Sequence, residues 1–291
     1  MYTPKDEADW LKKRFNGIGA SESASVLGVS KWKSVLELYY EKVQKKTFGD
    51  TNSSIMRAGN FLEPSILKWF EADTGVKTTH NKDKKIYTNA DRPHIFCTPD
   101  GFTIHNGDDG FCEAKLSPYG KMHGMWDDGI PLIYQIQLQH QMLCGELDMI
   151  YFAALINDTL MTEEVYRNDR FIKSLVSKLD EFWERVQNQE PPDPTVNDWS
   201  FLNSLYSPRK GVVIDLPDNF VSLDEELVKI KNEITELTNR KKEIEVQFKH
   251  KIADAEQGNL SSGVKYTFKE SERKGHVVKP SVSRTLKRKG N

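Results

Sequence analysis

From residue 1 to about residue 190 the chain alternates between two periodicities. In LEPSILKWFEADTG, Leu62, Ile66, Leu67 and Phe70 share one helical face, and Gly75 is placed to stop that helix. Pro64 has no N–H and fits a helix best in its first turn, so the helix is expected to start near Glu63. The same spacing predicts helices over 10–15, 21–27, 34–45 and 132–143. Residues 95–102 and 110–116 read instead as strands around the turn HNGDDG, with Asp108 and Asp109 in the turn. The apolar run MIYFAALI, 149–156, predicts a buried strand, with 163–166 paired to it. Asp169 is expected to cap a helix whose stripe is Phe171, Leu175, Leu179, Phe182 and Val186. EPPDP at 190–194 then closes the compact part.

Beyond it the repeat changes. Leu223, Leu227, Ile230, Ile234, Leu237, Ile244 and Phe248 recur in alternating steps of four and three, broken only by Lys241. That spacing predicts a helix of about 35 residues with a coiled-coil-like seam, opened by a Ser222–Glu225 capping box. The seam must be buried against its own domain or another subunit. VKYTFKE is a short strand candidate. The expected layout is a core over 1–195, a linker over 196–221, the long helix over 222–257 and a tail over 258–291.

Composition sharpens two points. The 291 residues are 37% hydrophobic, enough for one sizeable core with appendages. No apolar run reaches the roughly 18 residues of a membrane span, and MYTPKDEADWLKKRF shows no secretory signal pattern. Cys97, Cys112 and Cys144 form no CxxC pair and no zinc pattern, so they read as small hydrophobes in a reducing, cytoplasmic setting. The net charge of −2 hides an asymmetry. Residues 258–291 hold nine Lys and Arg against two Glu, a surplus of seven, which leaves the rest at −9. Such a tail is either a solvated end or a contact for a polyanion.

The candidate chemistry lies around the HNGDDG turn. Glu113 and Lys115 are two apart on one strand and share a face, while Cys112 and Ala114 point into a core. Asp100 ends the preceding strand, and a hairpin brings it beside Glu113. Two carboxylates meeting there repel unless a cation lies between them. Their oxygens suit Mg²⁺ or Mn²⁺, and Lys115 can orient a water or neutralise charge on a phosphate. Spacing alone leaves a plain exposed hairpin equally open, because D-G turns and Glu-x-Lys pairs are common.

PDG at 99–101 followed by EAK at 113–115 resembles the signature of PD-(D/E)XK nucleases. RFNGIGASESASVLGVSKW (14–32), RAGNFLEP (57–64) and YQIQLQHQM (134–142) lie in the right order around it. Together the four motifs resemble the phage-lambda-exonuclease-like family, the YqaJ-type viral recombinases, over about 10–190. The resemblance implies an α/β (α+β) restriction-endonuclease-like core, a central mixed sheet flanked by helices. It implies that Glu63, Asp100 and Glu113 hold metal, two ions of Mg²⁺ or Mn²⁺ per site, with Lys115 and Gln137 completing the catalytic set. Tyr134 and Gln141, three before and four after Gln137, share its helical face. Arg14 and Ser21 are implied to grip a 5′-phosphate, Ser21 from a helix start where N–H groups favour anions. Thr98 is implied to reach the same phosphate. Trp32 is expected in the core rather than on a stacking surface.

The implied activity is a 5′→3′ exonuclease on double-stranded DNA ends that passes a 3′ strand to a single-strand annealing recombinase. Ring-shaped homo-oligomers, typically trimers, and a phage protein in the bacterial host cytoplasm come with it. Two other readings stay in view. One is another PD-(D/E)XK endonuclease, although three cysteines are too few for a four-cysteine iron–sulfur enzyme. The other is a non-catalytic module that binds DNA ends.

Overall fold

Local sequence dictates where most elements begin and end in the computed structural model, which describes residues 1–48, 53–105, 108–119 and 124–270. Asp6 caps α1 (Glu7–Phe15), its side chain accepting from the Asp9 amide. β1 (Ile18–Gly19) leads into a 3₁₀ turn (Ala20–Glu22) and the short α2 (Ser23–Val26). Ser34 caps α3 (Val35–Gln44), and Lys45 ends it in the left-handed conformation. α4 (Ser54–Thr74) is followed by β2 (Lys77–His80), β3 (Tyr87–Thr88), β4 (Ile95–Cys97), β5 (Gly101–His105) and β6 (Asp108–Ser117). α5 (Leu132–Gly145), β7 (Met149–Ile156), β8 (Thr159–Tyr166), α6 (Asp169–Asn188) and α7 (Trp199–Leu205) complete the first unit, Met1–Ser207.

Five strands form a mixed sheet in the order β2-β5-β6-β7-β8. Only the β6–β7 pair is parallel, with Glu113 opposite Phe152 and Lys115 opposite Ala154. A smaller sheet, β1-β4-β3, stands beside it. Alternate residues of the large sheet bury on opposite faces. Cys112, Ala114, Tyr151 and Ala153 pack with Ile66, Leu67 and Phe70 of α4. Phe152 and Ala154 face the other way, into the cluster that holds Ile136, Leu138 and Met142 of α5 and Leu175, Leu179 and Phe182 of α6. A sheet between helical layers is the central mixed sheet flanked by helices that the sequence implies.

Several boundaries differ from expectation. α4 starts at Ser54, so Pro64 lies in its interior. The proline deprives the Asn60 carbonyl of its helical partner, but Asn60 is exposed and water can satisfy it. Asn168, not Asp169, caps α6, its side chain accepting from the Phe171 amide. The expected strand 95–102 is broken at Thr98–Pro99–Asp100, and its halves belong to different sheets. Asp108 and Asp109 lie in β6 rather than in the expected turn, of which residues 106 and 107 lie outside the described residues. Trp32 is 66% exposed, not core.

Where a linker is expected from residue 196, the chain is helical. Phe201 of α7 is buried, with its ring centroid 5.9 Å from Tyr40 and 5.2 Å from Phe48. Asp198 is buried too and accepts from the Thr195 amide at 2.7 Å.

The second unit, residues 208–291, is built on α8 (Asn219–Ile252) with a hairpin of β9 (Gln257–Asn259) and β10 (Lys265–Thr267). The expected capping box is not its start: Ser222 lies inside the helix and its hydroxyl donates to the Asn219 carbonyl. Seven of the nine basic tail residues lie beyond residue 270, outside the described residues. No helix among the described residues is long and apolar enough to cross a membrane.

Phe201→Ala should therefore lower the stability of the first unit by about 3–5 kcal/mol, the range for deleting a buried phenyl ring. The check is a urea titration with a lower midpoint at unchanged slope; an unchanged midpoint would show that α7 is not part of this unit's core.

Candidate active site

A buried carboxylate organises the centre of the sheet. Glu113 is 1% exposed on β6, flanked by apolar Cys112 and Ala114, so its oxygens must find donors within the protein. Three side chains supply them. Gln137 donates through Nε2 to Oε1, Gln141 donates to Oε2 at 2.6 Å, and the Lys115 ammonium donates to Oε1. Gln137 and Gln141 are one turn apart on α5, so a single helical face delivers both amides. Gln141 is fully buried, and its Oε1 has no partner among the described residues.

Asp100 enters from the link between β4 and β5. Its Oδ2 accepts from the Ala114 amide at 2.9 Å and lies 3.8 Å from Lys115 Nζ. Lys115 is thus seated between the two carboxylates. Burial, and then repulsion from Glu113 and Glu63, push the Asp100 carboxyl well above the usual range. Burial works against the Lys115 charge, but attraction to Glu113 and Asp100 outweighs it and raises its pKa.

Gly101, the residue after Asp100, has a steric task. A Cβ there would come within 2.9 Å of Leu67, so glycine allows α4 to lie against the sheet. α4 carries Glu63, whose Oε1 is 2.8 Å from His80 Nε2. His80 pairs with Gly101 in the β2–β5 register, which brings the Glu63–His80 pair to the residue beside Asp100. Burial raises the Glu63 pKa, opposed by the His80 hydrogen bond.

The four acidic and basic residues of the expected set therefore influence one another electrostatically. Among the described residues, however, no three His, Cys, Asp or Glu side chains meet as a ready-made ligand cluster. What is present is an oxygen donor set, with a carboxyl destabilised in its charged form and a buried amide oxygen without a partner. That chemistry fits a hard divalent cation. Tyr134 lines the same place: Lys115 Nζ is 5.8 Å from its ring centroid, and the ring stacks on Trp126 at 5.6 Å.

The implied phosphate residues lie on the neighbouring sheet. β1 runs parallel to β4, Ile18 opposite Ile95 and Gly19 opposite Phe96, so the 3₁₀ turn after β1 follows the same direction as the Thr98 segment after β4. Ser21 is exposed on that turn, and Thr98 is half-buried. Ser21 does not start a regular helix, since Gly19 caps the 3₁₀ turn and α2 has only four residues. Arg14 reaches the turn from α1. Its Nη2 is 2.9 Å from Glu22 Oε1, and its guanidinium lies 4.9 Å from the Trp10 ring.

Glu22, Lys42 and His80 were missed by motif reasoning. Glu22 is buried and accepts from the Gly19 amide at 2.9 Å, while Lys42 Nζ donates to it at 2.6 Å and to the Arg14 carbonyl at 2.7 Å. Burial alone would raise the Glu22 pKa, but Lys42 and Arg14 bring it down to about 2. For Lys42 the balance is opposite: desolvation outweighs Glu22 and lowers its pKa. A Glu and a Lys inside otherwise helical stretches give no spacing signal for such a pairing.

Residues 9–148 match the YqaJ-like viral recombinase domain. Protein YqaJ of Bacillus subtilis (strain 168) is 29% identical over 261 residues, which is 87% of this chain and 81% of that protein. Among solved structures, an alkaline exonuclease from Laribacter hongkongensis, LHK-Exo, superposes with a TM-score of 0.52 at 18% identity. The match covers 68% of this chain and 98% of the exonuclease. The same enzyme in complex with dAMP matches equally well.

The buried Glu22 gives a pH prediction. Its folded pKa of about 2 is below the ordinary 4.5, so its ion pairs stabilise the fold fully above pH 4.5 and lose that contribution as the pH falls towards 2. Glu22→Gln should cost about 3–5 kcal/mol near neutral pH, because it leaves Lys42 buried without its counter-charge. Urea midpoints measured from pH 7 to pH 2 should show the deficit shrinking over that acid window; a constant deficit would assign it to packing alone.

Proposed function

We propose that this chain, whose residues 9–148 match the YqaJ-like viral recombinase domain and whose fold superposes on that of an alkaline exonuclease, is a metal-dependent 5′→3′ exonuclease acting on the ends of double-stranded DNA. The observation that carries this reading is Lys115 seated between Asp100 and Glu113 at the sheet centre. A lysine held between a carboxylate on its own strand and one at the entry to the neighbouring strand can orient a nucleophilic water and neutralise charge on a cleaved phosphodiester.

Glu63, Asp100 and Glu113 would hold Mg²⁺ or Mn²⁺, two ions per site, and the cation would lower the pKa of an attacking water and screen the phosphate. The protein's own contribution is orientation. Gln137 and Gln141 fix the Glu113 carboxylate through both oxygens, leaving it no rotamer freedom. Tyr134 walls the site beside Lys115. Arg14, Ser21 and Thr98 would take the 5′-phosphate, Arg14 through a planar guanidinium suited to two phosphate oxygens. The 3′ strand left behind would pass to a single-strand annealing recombinase, and the enzyme would work as a homo-oligomer, a trimeric ring, in the cytoplasm of a phage-carrying bacterium.

The test is incubation of linear and circular duplex DNA with Mg²⁺. Linear duplex should be shortened from its 5′ ends to mononucleotides and circles left intact. Cleavage of circles would make the protein an endonuclease, and no cleavage of either would leave an end-binding module.

Two substitutions separate chemistry from grip. Lys115→Ala should lower turnover by at least about a hundredfold while DNA binding by fluorescence anisotropy changes little; turnover near that of the unmodified chain would remove Lys115 from the chemistry. Arg14→Ala should shorten the run length on 5′-phosphorylated ends and have little effect on 5′-hydroxyl ends. Equal loss on both ends would assign Arg14 to the fold rather than to phosphate.

A further inference from the structure

We propose that α8 forms a parallel, in-register coiled coil with the same helix of a second copy of this chain. The helix has 34 residues, and none of them is buried within its unit. Its seam is open: Leu223, Leu227, Ile230, Ile234, Leu237 and Ile244 are each between 40% and 70% exposed. An isolated amphipathic helix draws most of its stability from packing that face, not from propensity. Only the C-terminal end is covered, where Tyr266 of the hairpin stacks on Phe248 with ring centroids 4.1 Å apart. Three heptads, from Leu223 to Ile244, therefore lack a partner among the described residues of their unit.

The flanking charges select the occupant. With Leu227, Ile234 and Lys241 at the a positions and Leu223, Ile230, Leu237 and Ile244 at d, the g positions hold Glu226, Glu233 and Arg240. The e positions hold Asp224, Lys231, Thr238 and Glu245. In a parallel, in-register pair each g residue faces the e residue five places on in the other helix. Glu226 then meets Lys231 of the second copy, Arg240 meets its Glu245, and Glu233 meets the neutral Thr238. By symmetry each attractive pair occurs twice, and no like charges face each other at the flanking positions; within the seam, Lys241 faces Lys241 of the second copy. Turning one helix antiparallel about its middle keeps one kind of attractive pair, Glu233 with Arg240, but loses both parallel pairs and sets Asp224 against Glu245. Lys241 is the one polar residue in the seam. Its Nζ is 3.4 Å from Glu245 Oε1 on its own helix, so its charge is compensated locally. A single lysine at an a position also fixes register, because any slip sets it against an apolar layer.

Cross-linking of the full-length chain tests this. Cys97, Cys112 and Cys144 are buried, so the unmodified chain is the control. Leu223→Cys and Ile244→Cys, made separately near opposite ends of the open seam, should each give a covalent dimer through identical positions under mild oxidation. A third variant adding Ile230→Asp and Ile234→Asp to Leu223→Cys should lose that dimer. Glu226→Lys should slow cross-linking about tenfold, and adding Lys231→Glu should restore it. Failure of both cysteine variants to cross-link would overturn the proposal, whether the chain sediments as a monomer or as an oligomer joined elsewhere. So would a double charge swap no better than the single one.

Discussion

The fold is arranged around the need to satisfy buried polar groups on α5. Four of its consecutive-turn residues, Gln137, Gln139, His140 and Gln141, are at most 8% exposed. They are used in three directions. Gln137 and Gln141 donate to Glu113 on β6. Gln139 donates to the Tyr166 carbonyl and accepts from the Asn168 amide, which ties α5 to the end of β8 and the start of α6. His140 accepts from Ser23 at 2.6 Å and donates to the Phe96 carbonyl at 3.0 Å, which ties it to α2 and β4. An unsatisfied polar group at any of these places costs roughly 1–3 kcal/mol, so rotation of α5 is strongly opposed. The helix therefore sets where the large sheet, the small sheet and α6 lie relative to one another.

The same logic produces both candidate functional places. Each consists of a buried carboxylate neutralised from behind, with a cation held towards the open side. Glu113 is held by two glutamine amides and presents Lys115; Glu22 is held by Lys42 and the Gly19 amide and presents Arg14. A cation anchored on a buried carboxylate loses little side-chain entropy when it meets a phosphate oxygen, because its geometry is already fixed. Gly101 matters as well, because the missing Cβ lets α4 approach closely enough for Glu63 to reach His80.

Much of this was legible in the sequence where periodicity or a local motif decides the outcome. The face shared by Glu113 and Lys115, the opposite burial of Cys112 and Ala114, and the apolar strand at 149–156 follow from a period of two. The buried face of α4 follows from a period of 3.6. What was not legible depended on long-range partners. Pro64 stops a helix unless the carbonyl it orphans can face water, and only the fold places Asn60 at the surface. Asp108 and Asp109 look like turn residues until strand pairing extends β6 through them. Lys42 and Glu22 are 20 residues apart, and nothing in either local sequence announces that they share a buried site. Phe201 lies past a proline-rich stretch that reads as a boundary, yet its ring closes over Tyr40 and Phe48.

Charge explains why the candidate active site demands something beyond the chain. Glu63, Asp100 and Glu113 together carry −3 when ionised, and Lys115 offsets only one of these. Burial and mutual repulsion already keep the Asp100 carboxyl far from its ordinary titration. A cluster of that sign repels a DNA phosphate, and Lys115 cannot serve both carboxylates and a phosphate oxygen at once. Under the proposed function, Glu63, Asp100 and Glu113 would hold a divalent ion that supplies the missing counter-charge, and Lys115 would then be able to face the scissile phosphate. Arg14 is paired with Glu22 in the same way, and under the proposed function a phosphate would compete for it. Glu22 would retain Lys42 in that exchange, so no buried charge would be left alone. Both places would then follow one rule, in which an internal ion pair gives way to a substrate contact while a second donor keeps the buried carboxylate satisfied.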